Sequence, residues 1–249
     1  MDYQLSATRA LLQHAARNRT YWLRNFLDVQ RRAVGRTHPH AFVIPAQQKD
    51  PLATAKLLEV LHLGGVELHS ARQPFTAAGR RFEAGTVVVR LAQPAGAFAK
   101  TVLERQDYPD LRQYPGGPPL RPYDVTAHTL PLLLGVEVAR VEEPFTASLA
   151  PLATTTVAPG RVTGRGAFLA LSHKNGEMVG LGRLLRARVP VRWATEAFTD
   201  HGRTFAAGTL LVPASARRQV EALARELGLT VQAVGAAPPS ALRLARAPR

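Results

Sequence analysis

The chain contains no cysteine. Disulfides and thiolate metal sites are therefore excluded, and with them the usual clue to redox compartment. Lysine is scarce: Lys49, Lys56, Lys100 and Lys174 are the only four, so the net charge of +14 rests almost wholly on arginine. No run of about 18 apolar residues is present to cross a bilayer. The opening segment MDYQLSATRALLQHAARNR lacks an apolar core and a cleavage site of the secretory kind. A soluble protein without a signal peptide of its own is expected, with no membrane insertion. Catalytic signatures are missing as well. There is no His-x-x-Glu or His-Glu-x-x-His pair, no Gly-x-Ser-x-Gly elbow and no Walker loop. Gly160–Leu169 and Val179–Leu185 each offer Gly-x-Gly, but Leu169 and Leu185 stand where the third glycine of a dinucleotide fingerprint belongs.

What is present is enough to fold. With 249 residues and 46% hydrophobic content, the chain can bury a substantial core as one large or two small domains. Ser6–Val34 reads as a long amphipathic helix with Leu12, Ala16, Leu23, Phe26 and Leu27 on one face, ending near Gly35. AFVIP (Ala41–Pro45) is a short buried-strand run. A helix follows with Asp50 as N-cap, Pro51 at its first position and Gly64-Gly65 at its end, then the strand VELHSA. Strand, helix, strand predicts a parallel pair joined by a right-handed crossover.

The phrase FTAAGRRFEAGT (Phe75–Thr86) nearly repeats as FTDHGRTFAAGT (Phe198–Thr209). Leu58–Arg90 aligns without a gap on Leu181–Pro213, and AFVI meets AFLA (Ala167–Ala170) after a small shift. The phrase itself reads as a hairpin, with Gly79 and Gly202 in turns, Gly85 and Gly208 at tight entries to the next strands, and Phe82 and Phe205 inward. Each repeat goes on to a helix, AFAKTVLERQ or ARRQVEALAREL, and later a closing strand. The expected fold class is α/β: internally duplicated strand-helix-strand-hairpin-helix-strand units after a long N-terminal helix. The expected organisation is an N-terminal helix over 1–36, a first copy over 37–148 with a Pro-rich insert at 108–131, a second copy over 149–235, and a basic Pro-containing linker over 236–249.

Candidate functional residues are few. The insert Tyr108–Pro131 clusters Arg112, Arg121, Tyr123, Asp124 and His128, which supply donors, an acceptor and a titratable group in a loop whose prolines forbid helix. These are the candidate ligand-binding residues, for a peptide or cell-wall fragment in a stand-alone reading. Glu59 and His62, with Glu67 and His69 close after, and His38 with His40, have spacings that can hold a metal. Such His and Glu residues are usually surface positions, and no metal site or catalytic residue is assigned. Arg17, Arg24 and Arg31 recur at heptad spacing as a phosphate-tracking stripe would. A nucleic-acid-binding role is the other alternative, though a solvated helix face explains the same spacing.

Long phrases also carry a resemblance. HAARNRTYWLRNF, AFVIPAQQKDP, GGVELHSARQPFTAAGRRFEAGTVVVRLAQPAGAFAKTVLERQDYPDLR and RPYDVTAHTLPLLLGVEV resemble the region after the catalytic domain in a group of large bacterial zinc carboxypeptidases of the carboxypeptidase A-like class. In that group a glutamine amidotransferase-like domain often follows, and PPSALRLARAPR resembles the linker into it. The resemblance implies a non-catalytic accessory module of a metallocarboxypeptidase that acts in proteolysis. Its partner would be a catalytic domain in cis or trans, and its N-terminal helix would dock there or drive self-association. The family's His-x-x-Glu pair, third histidine and catalytic glutamate have no counterpart here, so zinc is expected only in the catalytic domain and the chain alone is expected to be inactive. With Met1 as a true start, this is the accessory part without its enzyme, as in a split or truncated gene. Such proteins are commonly exported.

Overall fold

The computed structural model describes residues 2–106, 109–121, 129–238 and 241–243. The backbone divides into two compact units, Met1–Gln47 with Val60–Leu133 and Glu137–Ala153, and Gln48–Glu59 with Leu134–Val136 and Thr154–Arg249. Both are mixed α/β.

The first unit opens with α1 (Asp2–Arg17) and α2 (Arg19–Val34), where the sequence pattern predicts one helix from Ser6. Asn18 separates them. Its side-chain amide donates to the His14 carbonyl oxygen at 3.0 Å, the local alternative to regular helix that asparagine offers. Its torsion angles (φ −104°, ψ 24°) leave the helical well. The i to i−4 bonds still pass through it, from Asn18 N–H to His14 O at 2.9 Å and from Trp22 N–H to Asn18 O at 3.1 Å. The two helices therefore keep a common phase.

The chain continues through β1 (Ala41–Ile44), α3 (Pro51–Leu63), β2 (His69–Ala71), β3 (Phe75–Ala77), β4 (Arg80–Phe82), β5 (Val87–Arg90), α4 (Gly96–Leu103), α5 (Leu130–Leu134), β6 (Ala139–Val141) and β7 (Leu149–Pro151). The main sheet has the order β6-β1-β5-β2-β7 with every pair antiparallel. This corrects the expected parallel pair: β1 and β2 do run the same way, but β5 lies between them. Val87, Val88 and Val89 are all buried, and such a run is best served by a central position with partners on both edges.

The second unit carries β8 (Arg161–Thr163), β9 (Phe168–Leu171), α6 (Asn175–Arg186), β10 (Arg192–Ala194), β11 (Phe198–Asp200), β12 (Arg203–Phe205), β13 (Leu210–Pro213), α7 (Arg217–Leu227), β14 (Thr230–Val234) and β15 (Ala241–Arg243). Its sheet order is β15-β10-β13-β9-β14-β8, antiparallel except for β14 with β8. Set side by side, β6-β1-β5-β2-β7 and β14-β9-β13-β10-β15 follow the same path. Register agrees too: Ala41 pairs Arg90 and Val141, as Phe168 pairs Pro213 and Val234.

Three boundaries move as a result. Ala41 corresponds to Phe168, not Ala167, so the AFVI-to-AFLA match is off by one residue. In a strand that shift would put every side chain on the wrong face. Leu149–Pro151 belongs to the first unit's sheet, not to a second copy starting at 149. Ala241–Arg243, expected in a linker, pairs with β10 as an edge strand. An edge needs backbone partners on one side only, so its place in a basic, Pro-flanked stretch is no obstacle.

The repeated phrase forms a hairpin in each unit, β3 with β4 and β11 with β12. Both turns have two positive-φ residues, Ala78 (48°) with Gly79 (69°) and His201 (46°) with Gly202 (74°). That is the type I′ pattern, whose twist matches the flanking strands and whose second position favours glycine. Phe75 and Phe82 stack at 5.3 Å, and Phe198 and Phe205 at 5.0 Å. Each hairpin packs on one face of its sheet, against Ala41, Val43 and Val88 in one unit and Ala170 and Leu211 in the other. In the second unit the opposite face, Leu169, Leu171, Leu210 and Val212, meets Leu184 of α6 and Val220, Leu223 and Leu227 of α7. Burying each such aliphatic side chain contributes about 1.5–3 kcal/mol.

The two aromatic pairs differ in depth. Phe82 is 2% exposed and half of a stack that Phe145 extends at 5.2 Å from Phe75, whereas Phe205 is half-buried. Phe82→Leu should cost about 1–1.5 kcal/mol and Phe205→Leu about half of that. Urea denaturation followed by circular dichroism checks the ratio; equal losses would contradict it.

Candidate functional site

The Pro-rich insert is a tight local fold where it is described. Arg112 bridges to Pro119, and Leu120 N–H donates to Leu111 O at 2.7 Å. The Arg112 guanidinium donates to Asp110 Oδ2 at 3.0 Å and to the Gly117 carbonyl at 2.9 Å, so it staples its own loop. Arg121 is exposed at the loop's end. Tyr123, Asp124 and His128 lie outside the described residues.

Among the described residues no group of three or more His, Asp or Glu is placed to hold a metal. Glu59 and His62 sit in α3, while His69 sits in β2. No described helix is long and apolar enough to cross a membrane.

Among the described residues, two of the concavities each lie within a single unit. In the second unit, a cavity of about 640 Å³ is lined by Leu52, Lys56, Glu59, Thr156, Asn175 and Glu226 among others. Its charged groups are paired, Lys56 Nζ with Glu59 Oε2 at 2.9 Å and Glu226 with Arg183 at 2.6 Å. Beside it, Asp50 holds two helix starts. Its Oδ1 accepts from Leu52 N–H at 3.1 Å and Ala53 N–H at 3.2 Å in α3, and its Oδ2 accepts from Asn175 N–H at 2.8 Å in α6. The first role was legible from Asp-Pro. The second was not, because no local pattern links residue 50 to residue 175.

In the first unit, a groove of about 680 Å³ runs between the β3–β4 turn and the Arg140–Thr146 segment. His40 meets the ring of Phe145 edge-on at 5.6 Å. Burial, then the Arg90 charge, hold its imidazole below the ordinary value of 6.5; Glu143 opposes and His38 adds to the lowering. A depressed folded value means that the fold favours the neutral ring. The stability this contributes is present above pH 6.5 and is lost as pH falls through the folded value. His40→Phe keeps a ring against Phe145 and removes the titration, so the fall in urea midpoint from neutral pH to about pH 5.5 should be smaller in the variant. Equal falls would contradict the assignment.

The N-terminal helical arm is also open to a partner. Leu11, Ala15, Trp22, Phe26, Val29 and Ala33 follow one another at helical spacing along α1 and α2, with Asn18 the one polar member of the line. Ala33 is 5% exposed where α2 meets α4, whereas Trp22 is 45% and Phe26 64% exposed. A stripe that starts in the core thus runs out along the arm without a cover among the described residues. Leu12, Leu23 and Leu27 widen it and are exposed too. Arg17, Arg24 and Arg31 lie exposed on the opposite side, Arg31 near Asp28 at 3.6 Å.

Comparison with family models, with curated proteins and with solved structures gave no match.

Proposed function

We propose that the chain is a non-catalytic accessory module of a zinc carboxypeptidase-like protein, docked through its helical arm on the catalytic domain, which it supports or positions for substrate. The observation that carries the docking role is the uncovered stripe. Leu11, Leu12, Trp22, Leu23, Phe26 and Leu27 are all exposed on one arm, and contiguous apolar surface of this kind marks interaction sites. The identity of the partner rests on the family resemblance of the long phrases, which covers the arm itself in HAARNRTYWLRNF.

Peptidase assays test the non-catalytic part. The purified chain should release no C-terminal residues from test peptides, with or without added zinc. Release that a chelator abolishes would overturn the reading.

A further inference from the structure

The two sheets follow the same path but end differently. In the second unit β8 adds a sixth strand, parallel to β14. In the first unit β6, the counterpart of β14, is the last strand of its sheet, and among the described residues no strand lies on its other side. β8 stands seven to five residues ahead of Phe168; the same places ahead of Ala41 hold Val34, Gly35 and Arg36, where α2 ends. The matching piece of chain is therefore spent on a helix. Backbone phase agrees at the two edges. Leu91 N–H donates to His40 O at 3.1 Å, as Ala214 N–H does to Ala167 O at 2.9 Å. Alternation along the strands then turns Ala41 toward β6 and the N–H and C=O of Arg140 away from β1, as it turns those of Ala233 toward β8.

We infer that the open edge of β6 takes an extended segment of a partner polypeptide as a sixth strand, parallel to β6 and leading toward the groove beside Val141. The duplicate supplies the template, since unpaired strand edges bind by adding a strand. In β8, Val162 packs toward the core while Arg161 and Thr163 are exposed. Gly166 then passes so close to β14 that a Cβ there would lie 2.2 Å from Val234 O. The fitting segment thus has an apolar, β-branched residue between polar neighbours and a glycine three places after the strand. A second observation places its far end. In the second unit Asp200 reaches from the hairpin to the segment after β14, its Oδ2 accepting from Gly235 N–H at 3.1 Å. Ala77 stands in its place in the first unit and offers no acceptor, so the gap stays as the groove of about 680 Å³. A second copy of this chain fits the edge less well. Two β6 edges related by a two-fold axis would run antiparallel and set Arg140 opposite Arg140, and like charges in that position repel. The edge is separate from the arm, so the inference stands apart from the docking role proposed above.

The test uses the whole chain and a capped synthetic peptide, PGRVTGRGA, which copies residues 159–167. Amide hydrogen exchange is followed by NMR. The Arg140 N–H should exchange freely in the chain alone and at least ~10-fold more slowly with the peptide near saturation. Arg161 N–H donates to Leu229 O at 2.9 Å, so alternation also aims the Thr163 N–H at β14. N-methylation of the peptide at its threonine should therefore abolish binding, and at its valine should leave most of it. On the protein side, Arg140→Pro removes a donor that β1 does not use, a change that edge strands tolerate. It should lose the peptide while circular dichroism is unchanged, whereas Arg140→Ala, which loses only the side-chain ion pairs with Glu104 and Glu142, should keep it. If Arg140→Pro fails to fold, the exchange data and the two methylated peptides decide alone. An Arg140 amide already protected in the free chain would show the edge to be covered and overturn the inference. No binding at about 1 mM peptide, or equal binding of both methylated peptides, would overturn it as well. Dimerisation in sedimentation that Arg140→Pro abolishes would assign the edge to a second copy and likewise overturn it.

Discussion

Asp50→Ala should destabilise the second unit by about 3 kcal/mol, because the substitution removes three acceptor contacts at two helix starts at once. Asp50 is 8% exposed, so water would replace those contacts poorly. The residue at the N-cap of α6, Lys174, makes no side-chain cap bond, and a lysine has no acceptor to offer. Asp50 does that work from a distant point in the sequence, at 2.8 Å from Asn175 N–H. The carboxylate also lies where two helix dipoles favour negative charge. Asp50→Asn discriminates this account from a simple cap. One amide oxygen can keep the α3 contacts, but the NH₂ group would face the Asn175 N–H donor to donor. A loss of about half the alanine effect is expected. Urea unfolding of the three proteins measures it. If Asp50→Asn matches the wild type, the bond to Asn175 contributes nothing.

Trp22→Asp with Phe26→Asp should weaken binding to the catalytic domain at least ~100-fold while leaving the fold intact. Buried aromatic anchors dominate interface energies, and truncating a central one commonly costs 2 kcal/mol or more. A carboxylate in its place adds a desolvation penalty. In the free chain both side chains are exposed, and surface changes of this kind move stability by no more than ~0.5 kcal/mol. Thermal unfolding should therefore be superimposable on the wild type. Loss of binding together with loss of folding would show that the stripe serves the chain's own core. Unchanged binding would move the docking surface elsewhere.

The sequence spoke most clearly where physics is local. Asp50-Pro51 and Gly64-Gly65 bound α3 closely, because caps depend on neighbours. The phrase FTxxGRxFxAGT reads as a hairpin because its turn needs positive φ at fixed positions, and both copies supply it. Strand pairing was less legible. A crossover helix suggested parallel neighbours, yet β5 returns from the hairpin and takes the place between β1 and β2. That choice is made by three consecutive buried valines, not by the connection. The strand at Ala241–Arg243 carried no apolar alternation, since an edge strand is defined by what its neighbour β10 leaves unpaired. Of the site candidates, Arg112 proved to be tied within its own loop. The apolar face of the arm was legible as amphipathic helix; that it stays uncovered beyond Ala33 was not, because exposure is a property of the folded unit.

Direct titration of the intact chain with the zinc carboxypeptidase domain, followed by calorimetry, tests the central claim. The account predicts saturable one-to-one binding in the micromolar range or tighter, with the negative heat-capacity change of apolar burial, and its loss in the Trp22/Phe26 variant. A folded chain that gives no heat and no complex with that domain would contradict it.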